Sequence, residues 1–443
     1  MATKTRAQAE TVTEALRAAL GEAAVVTDAA ALDYFANDVY RGGGAPLAVV
    51  RPSTVQNLQQ AVRICGDAGV AMVPRGGGAS YTDGYVLPQG GHVLFDTGAL
   101  DTIEIDEANA VVTAGAGVTW ANLKAALDAK GLRTPFWGPF SGIAATVGGS
   151  LSQNSVSHGT AAHGISAESV LGMDVVLASG DLVSTGASSS IRQYGPDMTG
   201  LFTGDCGAFG IKVAARLPLI ALRNHFECLS FAFDDFAKFH AGSRAAQLAG
   251  IEDSQFGLDL ALSQGQIGRQ EGLGARLEIA AHVLKRAPNK LKGVAQLLRM
   301  AMAGEDPMRA GAYMLHFIVD GADAEEAALR AKQLRRVLSA HGREIANSIP
   351  TFVKSLPFAP LFNILGHWRR TLGAHPCAAG ARSGGGLRCH VQGADFCTQG
   401  GHGQARSLGG DDVLARGIDR LPLRGRALLA RRAHRLSQAD AGR

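Results

Sequence analysis

The sequence predicts a two-domain α+β protein, and three observations support this prediction. The chain has 443 residues, which is enough for two or three domains. Residues 47–219 alternate short apolar strand patterns with helix patterns and glycine-rich turns, whereas residues 224–350 show a β-α-β rhythm typical of an antiparallel α+β domain. Apolar residues make up 46 % of the chain and glycine contributes 57 residues, a composition that excludes a disordered or fibrous chain.

Apolar periodicity places the individual elements along the chain. In the first half we expect helices at 7–20, 28–35, 55–65 and 119–129, and strands at 47–51, 70–73, 93–96, 102–105, 111–114, 170–177, 182–185 and 211–219. In the second half we expect strands at 226–233, 313–319 and 345–349 and a long helix at 322–341.

The charge distribution argues against a nucleic-acid partner. The formal charge is +4, but residues 371–443 contain eleven Arg and no Lys, so the basic excess belongs to the tail alone. The six cysteines are scattered without a CxxC pair, the start has no signal-peptide pattern, and no apolar run approaches the ~20 residues of a transmembrane helix. We therefore expect a protein of the cytoplasm without a transmembrane segment.

The first glycine-rich turn follows a predicted strand. Three consecutive glycines let the backbone adopt positive φ and expose several N–H groups on one side, which suits a pyrophosphate. Neighbouring hydroxyls could add donors and an arginine could add charge, although a tight turn without a ligand is the alternative. The candidate residues are Pro74, Arg75, Gly76, Gly77, Gly78, Ala79, Ser80, Tyr81 and Thr82.

The second glycine-rich segment spans residues 138–164, where small residues dominate. A ring system that lies flat against backbone needs this absence of side chains, and Asn154 and Ser155 could bond a heterocycle edge. A buried packing surface is the alternative. The candidate residues are Pro139, Ser141, Gly142, Thr146, Gly148, Gly149, Asn154, Ser155, Gly159 and Gly164.

Competing nucleotide motifs are absent from the sequence. Neither turn fits GxGxxG, because Tyr81 stands where a third glycine is needed after Gly76 and Gly78. No Gly-Lys dipeptide and no HExxH motif occur. A nicotinamide-binding Rossmann domain and a P-loop NTPase are therefore disfavoured.

Together with residues 195–202 and 204–211, the two turns resemble the FAD-linked oxidase family of the vanillyl-alcohol oxidase and p-cresol methylhydroxylase (PCMH) type. The spacing is most similar to the D-lactate dehydrogenase and glycolate oxidase branch, over about residues 47–219. The resemblance implies a helical segment at 1–44, a two-subdomain PCMH-type FAD-binding domain at 45–220 and an α+β cap or substrate domain at 224–365. It also implies that the first turn holds the pyrophosphate of FAD, that the second passes alongside the flavin ring, and that Gly210 and Ile211 contact the cofactor.

Two positions depart from the family pattern. Some relatives attach FAD covalently through a histidine just after the first turn, and Ala79 occupies that place, so the expected cofactor is non-covalent FAD. The usual Gly-Ser-Glu-Gly is Gly204-Asp205-Cys206-Gly207 here, where Asp205 keeps a carboxylate that is one carbon shorter.

The resemblance implies oxidation of a small hydroxylated substrate, first a 2-hydroxy acid such as D-lactate or glycolate, by hydride transfer to flavin N5. A quinone, a cytochrome or oxygen would then accept the electrons. His158 and His163 lie in the segment expected near the ring, where each could be a base, an oxyanion donor or a structural histidine. Tyr81 and Tyr194 are weaker candidates. A p-alkylphenol substrate and an inactive FAD-binding fragment are the alternatives.

The tail after about residue 366 has an unusual composition. It contains metal-ligating residue types, but their spacing matches no zinc pattern, so we expect no metal there. Many arginines without lysine or glutamate are typical of a GC-rich gene translated out of frame, and a frameshifted tail with an incomplete cap domain is our hypothesis. The metal-ligating residue types in this tail are His375, Cys377, Cys389, His390, Cys397 and His402.

Overall fold

A computed structural model describes residues 2–39, 41–186, 192, 195–259, 280–281, 283–284, 290–303 and 310–359. Tyr194 and the tail after residue 366, including its histidines and cysteines, lie outside the described residues. Within the described ranges, no helix has both the length and the apolar character that crossing a membrane requires.

The first sheet lies near the N-terminus and mixes parallel with antiparallel pairing. It consists of β1 (Val25–Val26), β2 (Ala48–Val50), β3 (Met72–Arg75) and β4 (Val93–Asp96). The spatial order is β1-β2-β4-β3, with β2 and β3 both parallel to β4. Strands β2 and β4 are buried throughout, which explains why they appear in the sequence as continuous apolar runs.

Helices α1 (Ala2–Leu20), α2 (Ala29–Phe35) and α3 (Val55–Asp67) accompany this sheet. The side chain of Asp28 caps α2 by accepting a hydrogen bond from the Ala31 amide, and that of Thr54 caps α3 by accepting one from the Asn57 amide. The helix expected at 55–65 is confirmed as α3, and one of its faces is buried in the core. Its buried residues are Leu58, Ala61, Val62 and Cys65.

The second sheet is antiparallel and contains five strands. With an adjoining two-stranded ribbon it comprises β5 (Ile103–Asp106), β6 (Val111–Gly115), β7 (Leu132–Arg133), β8 (Gly172–Val176), β9 (Leu182–Ser184), β10 (Ile211–Pro218) and β11 (Ile220–Ala221). The sheet order is β5-β6-β10-β8-β9, and β7 pairs with β11. The helices of this region are α4 (Trp120–Asp128), α5 (Val147–Gln153) and α6 (Thr160–His163).

The third sheet is antiparallel and belongs to the second half of the chain. It comprises β12 (His225–Phe233), β13 (Ser254–Asp259), β14 (Tyr313–Gly321) and β15 (Arg343–Ile345), in the order β13-β14-β12-β15. The accompanying helices are α7 (Phe236–Ala249), α8 (Lys290–Ala303), α9 (Ala324–Leu338) and α10 (Ser348–Ser355). One face of the sheet packs against α7 and α9, and the other turns Cys228, Phe256 and Ile318 toward Phe140.

Short 3₁₀ helices complete the description, at Glu22–Ala24, Thr97–Ala99, Ser166–Ser169 and Thr199–Phe202. The strand expected at 345–349 is wrong beyond Ile345, because α10 begins at Ser348. Pro350 lies in the first turn of this helix, where a backbone N–H would have no intrahelical acceptor, so its missing N–H costs no hydrogen bond. The α+β class and the antiparallel second half are confirmed. The domain boundaries stay a prediction.

Candidate functional site

The two glycine-rich turns come together around one cavity of about 200 Å³. All of the predicted cofactor residues line it except Gly142, Gly159 and Gly164. Strand β3 delivers the first turn, α5 belongs to the second, and the start of β10 contributes Gly210 and Ile211. Segments that are far apart in sequence therefore line one cavity.

Close approach of the backbone explains the glycine run. A Cβ on Gly77 would overlap the carbonyl oxygen of Ala144, and one on Gly76 would overlap Thr146 Oγ1. Positive φ, expected for the run, occurs only at Gly78, with a φ of 68°. The first turn thus needs glycines mainly because the second turn passes directly against it.

Arg75 brings a buried cation to the cavity. The residue is 8 % exposed, and its guanidinium lies 4.7 Å from the ring centroid of Phe35 and 5.3 Å from that of Tyr85. Its Nη1 donates to the Gly76 carbonyl at 3.4 Å, whereas the buried Nε has no hydrogen-bond partner among the described residues. A buried cation with an unused donor suits an anionic ligand such as a pyrophosphate.

A second buried cation, Lys212, also lines the cavity. Its Nζ lies 2.5 Å from Asp205 Oδ1, and burial lowers the pKa of the lysine against the opposing effect of this carboxylate. Asp205 also accepts a hydrogen bond from the Gly207 amide at 3.0 Å, so its carboxylate holds the 204–207 loop. Neither Asp nor Glu occurs among the described residues that line the cavity, and since Asp205 neutralises Lys212, Arg75 supplies its net positive charge.

Several predicted polar groups are engaged within the site. Ser80 Oγ accepts from the amides of Thr82 and Gly84, and Thr82 Oγ1 donates to Gln153 Oε1 at 3.1 Å. Asn154 adopts positive φ and its Oδ1 accepts from the Ala167 amide at 3.1 Å. These side chains shape the turns, which leaves the backbone N–H groups and the two cations to face a ligand.

Neither predicted catalytic histidine lines the cavity. His158 is 1 % exposed, stacks on Trp137 at 4.2 Å between ring centroids, and donates from Nε2 to the Pro357 carbonyl at 2.8 Å. Burial lowers its pKa to about 4. The side chain of His163 is 32 % exposed, and its Nε2 lies 3.4 Å from Arg133 Nη2. Catalysis by either histidine stays a prediction, and this geometry does not favour it for His158.

The three predicted glycines outside the cavity have structural reasons. A Cβ on Gly142 would overlap the ring of Phe358. Gly159 and Gly164 both have positive φ, and a Cβ there would overlap the Pro135 carbonyl and the Glu168 carboxylate, respectively. For these three positions the packing alternative describes the structure better than cofactor contact does.

No sequence pattern indicates the buried polar pair in the third sheet. Ser230 Oγ and His316 Nδ1 lie 2.8 Å apart on the paired strands β12 and β14. Burial lowers the pKa of His316 to about 3, and its Nε2 has no partner within the described part of the chain. Because 86 positions separate the two residues, no local spacing could connect them.

Comparison with known proteins identifies the domain to which most of the residues around the cavity belong. Residues 46–186 match the family model described as an FAD binding domain. Residues 46–186 therefore form an FAD-binding domain. The glycolate oxidase subunit GlcD of Bacillus subtilis (strain 168) is 34 % identical over 175 residues, which are 40 % of this chain and 37 % of that protein.

The D-lactate dehydrogenase of Archaeoglobus fulgidus is 28 % identical over 186 residues, 42 % of this chain and 41 % of that protein. The chain thus matches less than half the length of these curated relatives. A crystal structure of p-cresol methylhydroxylase with substrate bound superimposes with a TM-score of 0.63 at 19 % identity, covering 82 % of this chain and 72 % of that one. This likeness confirms the PCMH-type fold.

The residues of this FAD-binding domain fit the cofactor. The close-packed glycine turns leave backbone where side chains would block a flat ring, and Arg75 offers positive charge to phosphates. The unpartnered Nε of Arg75 is the donor that a phosphate oxygen would satisfy.

Proposed function

We propose that the chain is an FAD-dependent oxidoreductase that oxidises a small hydroxylated substrate, with a 2-hydroxy acid such as D-lactate or glycolate as the first choice. The observation that carries this proposal is the cationic cavity formed by the two glycine-rich turns of the FAD-binding domain. The names of the glycolate oxidase subunit and the D-lactate dehydrogenase support the substrate class.

In this proposal the backbone of residues 76–80 and the guanidinium of Arg75 hold the pyrophosphate, while residues 139–155 flank the ring. When bound, FAD supplies the two-electron acceptor for the substrate. Ala79 has no nucleophile at the position of covalent attachment in some relatives, and this supports non-covalent binding.

For the catalytic base we propose His163, because its side chain keeps 32 % exposure while burial, followed by the charge of Arg133, lowers its pKa. A neutral imidazole at pH 7 can accept a proton. His163→Gln would then reduce kcat by a factor on the order of 10² to 10⁴ with unchanged flavin content. An unchanged kcat would remove His163 from the mechanism.

Anaerobic bleaching of the bound flavin tests the activity and the substrate together. The purified chain is mixed separately with D-lactate, glycolate and p-cresol, and the visible flavin absorbance is followed. Bleaching by either 2-hydroxy acid supports the proposal, bleaching by p-cresol alone favours the p-alkylphenol alternative, and a flavin that no substrate bleaches favours an inactive FAD-binding fragment. Re-oxidation by a quinone, by cytochrome c or by oxygen then identifies the electron acceptor class.

Acid precipitation separates the two modes of cofactor attachment. If FAD is non-covalent, trichloroacetic acid leaves a colourless protein pellet and a yellow supernatant with the fluorescence of free flavin. A yellow pellet would contradict non-covalent binding and would direct attention to Cys206, the exposed thiol among the described residues that line the cavity.

A further inference from the structure

A second and larger cavity, of about 560 Å³, lies away from the glycine-rich turns. Helix α4, β7, the segment that leads into β12, the end of β14 and α10 all contribute to its wall. It shares no lining residue with the first cavity among those described. The two linings touch where Trp120 Nε1 donates to Ser150 Oγ at 2.7 Å, since Trp120 lines the second cavity and Ser150 the first.

The wall of the second cavity combines aromatic rings with cations. Trp120, Trp137 and Phe226 supply flat apolar surface. The Nζ of Lys354 lies 5.2 Å from the ring centroid of Phe226 and 5.8 Å from that of Trp137. A cation held beside aromatic rings suits a ligand that has both an apolar body and a negative charge.

Two residues that line the second cavity carry buried donors without partners. The side chain of Arg133 is 9 % exposed, and its Nη2 bonds Asp253 Oδ1 at 2.5 Å, whereas Nε and Nη1 have no hydrogen-bond partner in the described ranges. Trp137 Nε1 is also buried without a partner there. Each such donor destabilises the protein while it stays unsatisfied, so a ligand that brings acceptor oxygens would relieve this cost.

The spare hydrogen-bond donors of the lining, rather than its net charge, favour an anion. Each cation of the lining already has an acidic partner: Lys124 pairs with Asp128, Arg223 with Glu326 at 3.4 Å, Lys354 with Asp320 at 2.7 Å, and Arg133 with Asp253. Arg133 is different, because its planar fork has spare donors beyond the one that Asp253 accepts, and such a fork matches the two oxygens of a carboxylate.

We propose that this cavity binds a small organic anion, with its carboxylate at Arg133 and its aromatic or apolar body against Trp120, Trp137 and Phe226. The site is separate from the FAD cavity and does not depend on the proposed oxidation. A free phosphate shares the anionic group but has no body to occupy the aromatic wall, and it serves as the competing ligand in the test.

Titration of the full chain with phenylacetate tests the proposal. Tryptophan fluorescence reports binding, because two of the chain's three tryptophans line the cavity. We expect saturable quenching by phenylacetate, at least tenfold weaker binding of the neutral phenylacetamide, and no saturable binding of inorganic phosphate. Equal affinities for phenylacetate and phenylacetamide would overturn the proposal, and so would preferential binding of phosphate.

Two variants and one control locate the site. Arg133→Lys keeps a cation for Asp253 but removes the planar fork, and we expect at least tenfold weaker binding of phenylacetate. Leu222→Trp fills the cavity without touching an ion pair and should abolish binding even if Arg133→Lys fails to fold. Arg63→Lys, on α3 outside the cavity, should bind as the parent does. Undiminished binding by a folded Leu222→Trp protein would overturn the assignment.

Discussion

The two cavities are built on opposite principles. The first cavity is made largely of backbone from two continuous glycine-rich turns, and most of its side chains are small. The second cavity is made of large and charged side chains that arrive from separate elements. A cavity formed by backbone keeps its shape only while its glycines carry no side chains. A cavity formed by side chains is stable only while its buried charges are paired.

The substitution with the largest expected effect on stability removes a buried ion pair at the second cavity. Arg133→Met leaves the Asp253 carboxylate buried without its cation, because both side chains are less than one-tenth exposed. We expect the free energy of unfolding to fall by about 3–5 kcal/mol, measured by urea denaturation. Lys238→Met, which breaks the exposed pair with Asp234, is the matched control and should change it by less than about 1 kcal/mol. Equal losses of unfolding free energy in the two variants would contradict the claim that the second cavity depends on its buried ion pair.

His158, which lies between the two cavities, should make the stability of the protein depend on pH by an amount of similar size. His158 stacks on Trp137 of the second cavity and lies 4.5 Å, centroid to centroid, from Phe140, whose neighbours line the first. Burial lowers its pKa to about 4; the Pro357 carbonyl and Asp253 oppose this, and Lys354 and Lys124 add to it. The unfolded chain therefore binds the proton first, and stability falls as the pH drops from about 6.5 to 4.

For His158 alone this loss amounts to about 3 kcal/mol at pH 4, because each pKa unit corresponds to about 1.4 kcal/mol. Thermal unfolding at a series of pH values measures it. His158→Gln should make the profile between pH 6.5 and 4 less steep by this amount, whereas the slope that the buried His316 contributes should remain. A profile that His158→Gln does not alter would show that this imidazole is protonated in the folded protein.

The backbone cavity should respond to a single added side chain. Gly77→Val places atoms where the Ala144 carbonyl now lies, which forces the two turns apart. We expect the dissociation constant for FAD to rise on the order of 100-fold, or about 2.7 kcal/mol, measured by quenching of flavin fluorescence. Gly66→Ala, in α3 with only one ordinary contact for its Cβ, should bind FAD normally. Normal binding by Gly77→Val would contradict the close approach of the turns.

The smallest effect concerns the cation of the backbone cavity. Arg75→Met keeps the length and apolar packing of the side chain but removes the unpartnered Nε and the charge. We expect FAD binding to weaken about tenfold, equivalent to about 1.4 kcal/mol, and to lose part of its salt dependence. Arg335→Met on the surface of α9 is the control. An unchanged affinity would show that backbone N–H groups alone hold the pyrophosphate.

The sequence predicts the first cavity well because its determinants are local. Runs of glycine between strand patterns mark both turns, and strands such as β4 (Val93–Asp96) have the expected bounds. Helix α5 was missed because Gly148 and Gly149 favour a turn, although its capping residue Thr146 accepts from the Gly149 amide. Local composition indicates a backbone site but not the helix inside it.

Contacts between side chains that are distant in sequence cannot be predicted in the same way. The Arg133–Asp253 pair joins β7 to the residue before β13, and Lys212 is hidden in an alternating strand pattern. The expectation of His158 near the ring followed from its position in the second segment, whereas its neighbours Trp137 and Pro357 orient it elsewhere. Side-chain direction at such positions depends on tertiary packing, which one sequence does not reveal.

The measurement that tests the central claim most directly is the visible absorption spectrum of the purified full chain, before and after addition of FAD. Two flavin bands, with a bound FAD that the Gly77→Val protein fails to retain, are the predicted result. A chain that is colourless and stays colourless with added FAD would contradict the claim that the two glycine-rich turns form an FAD-binding cavity.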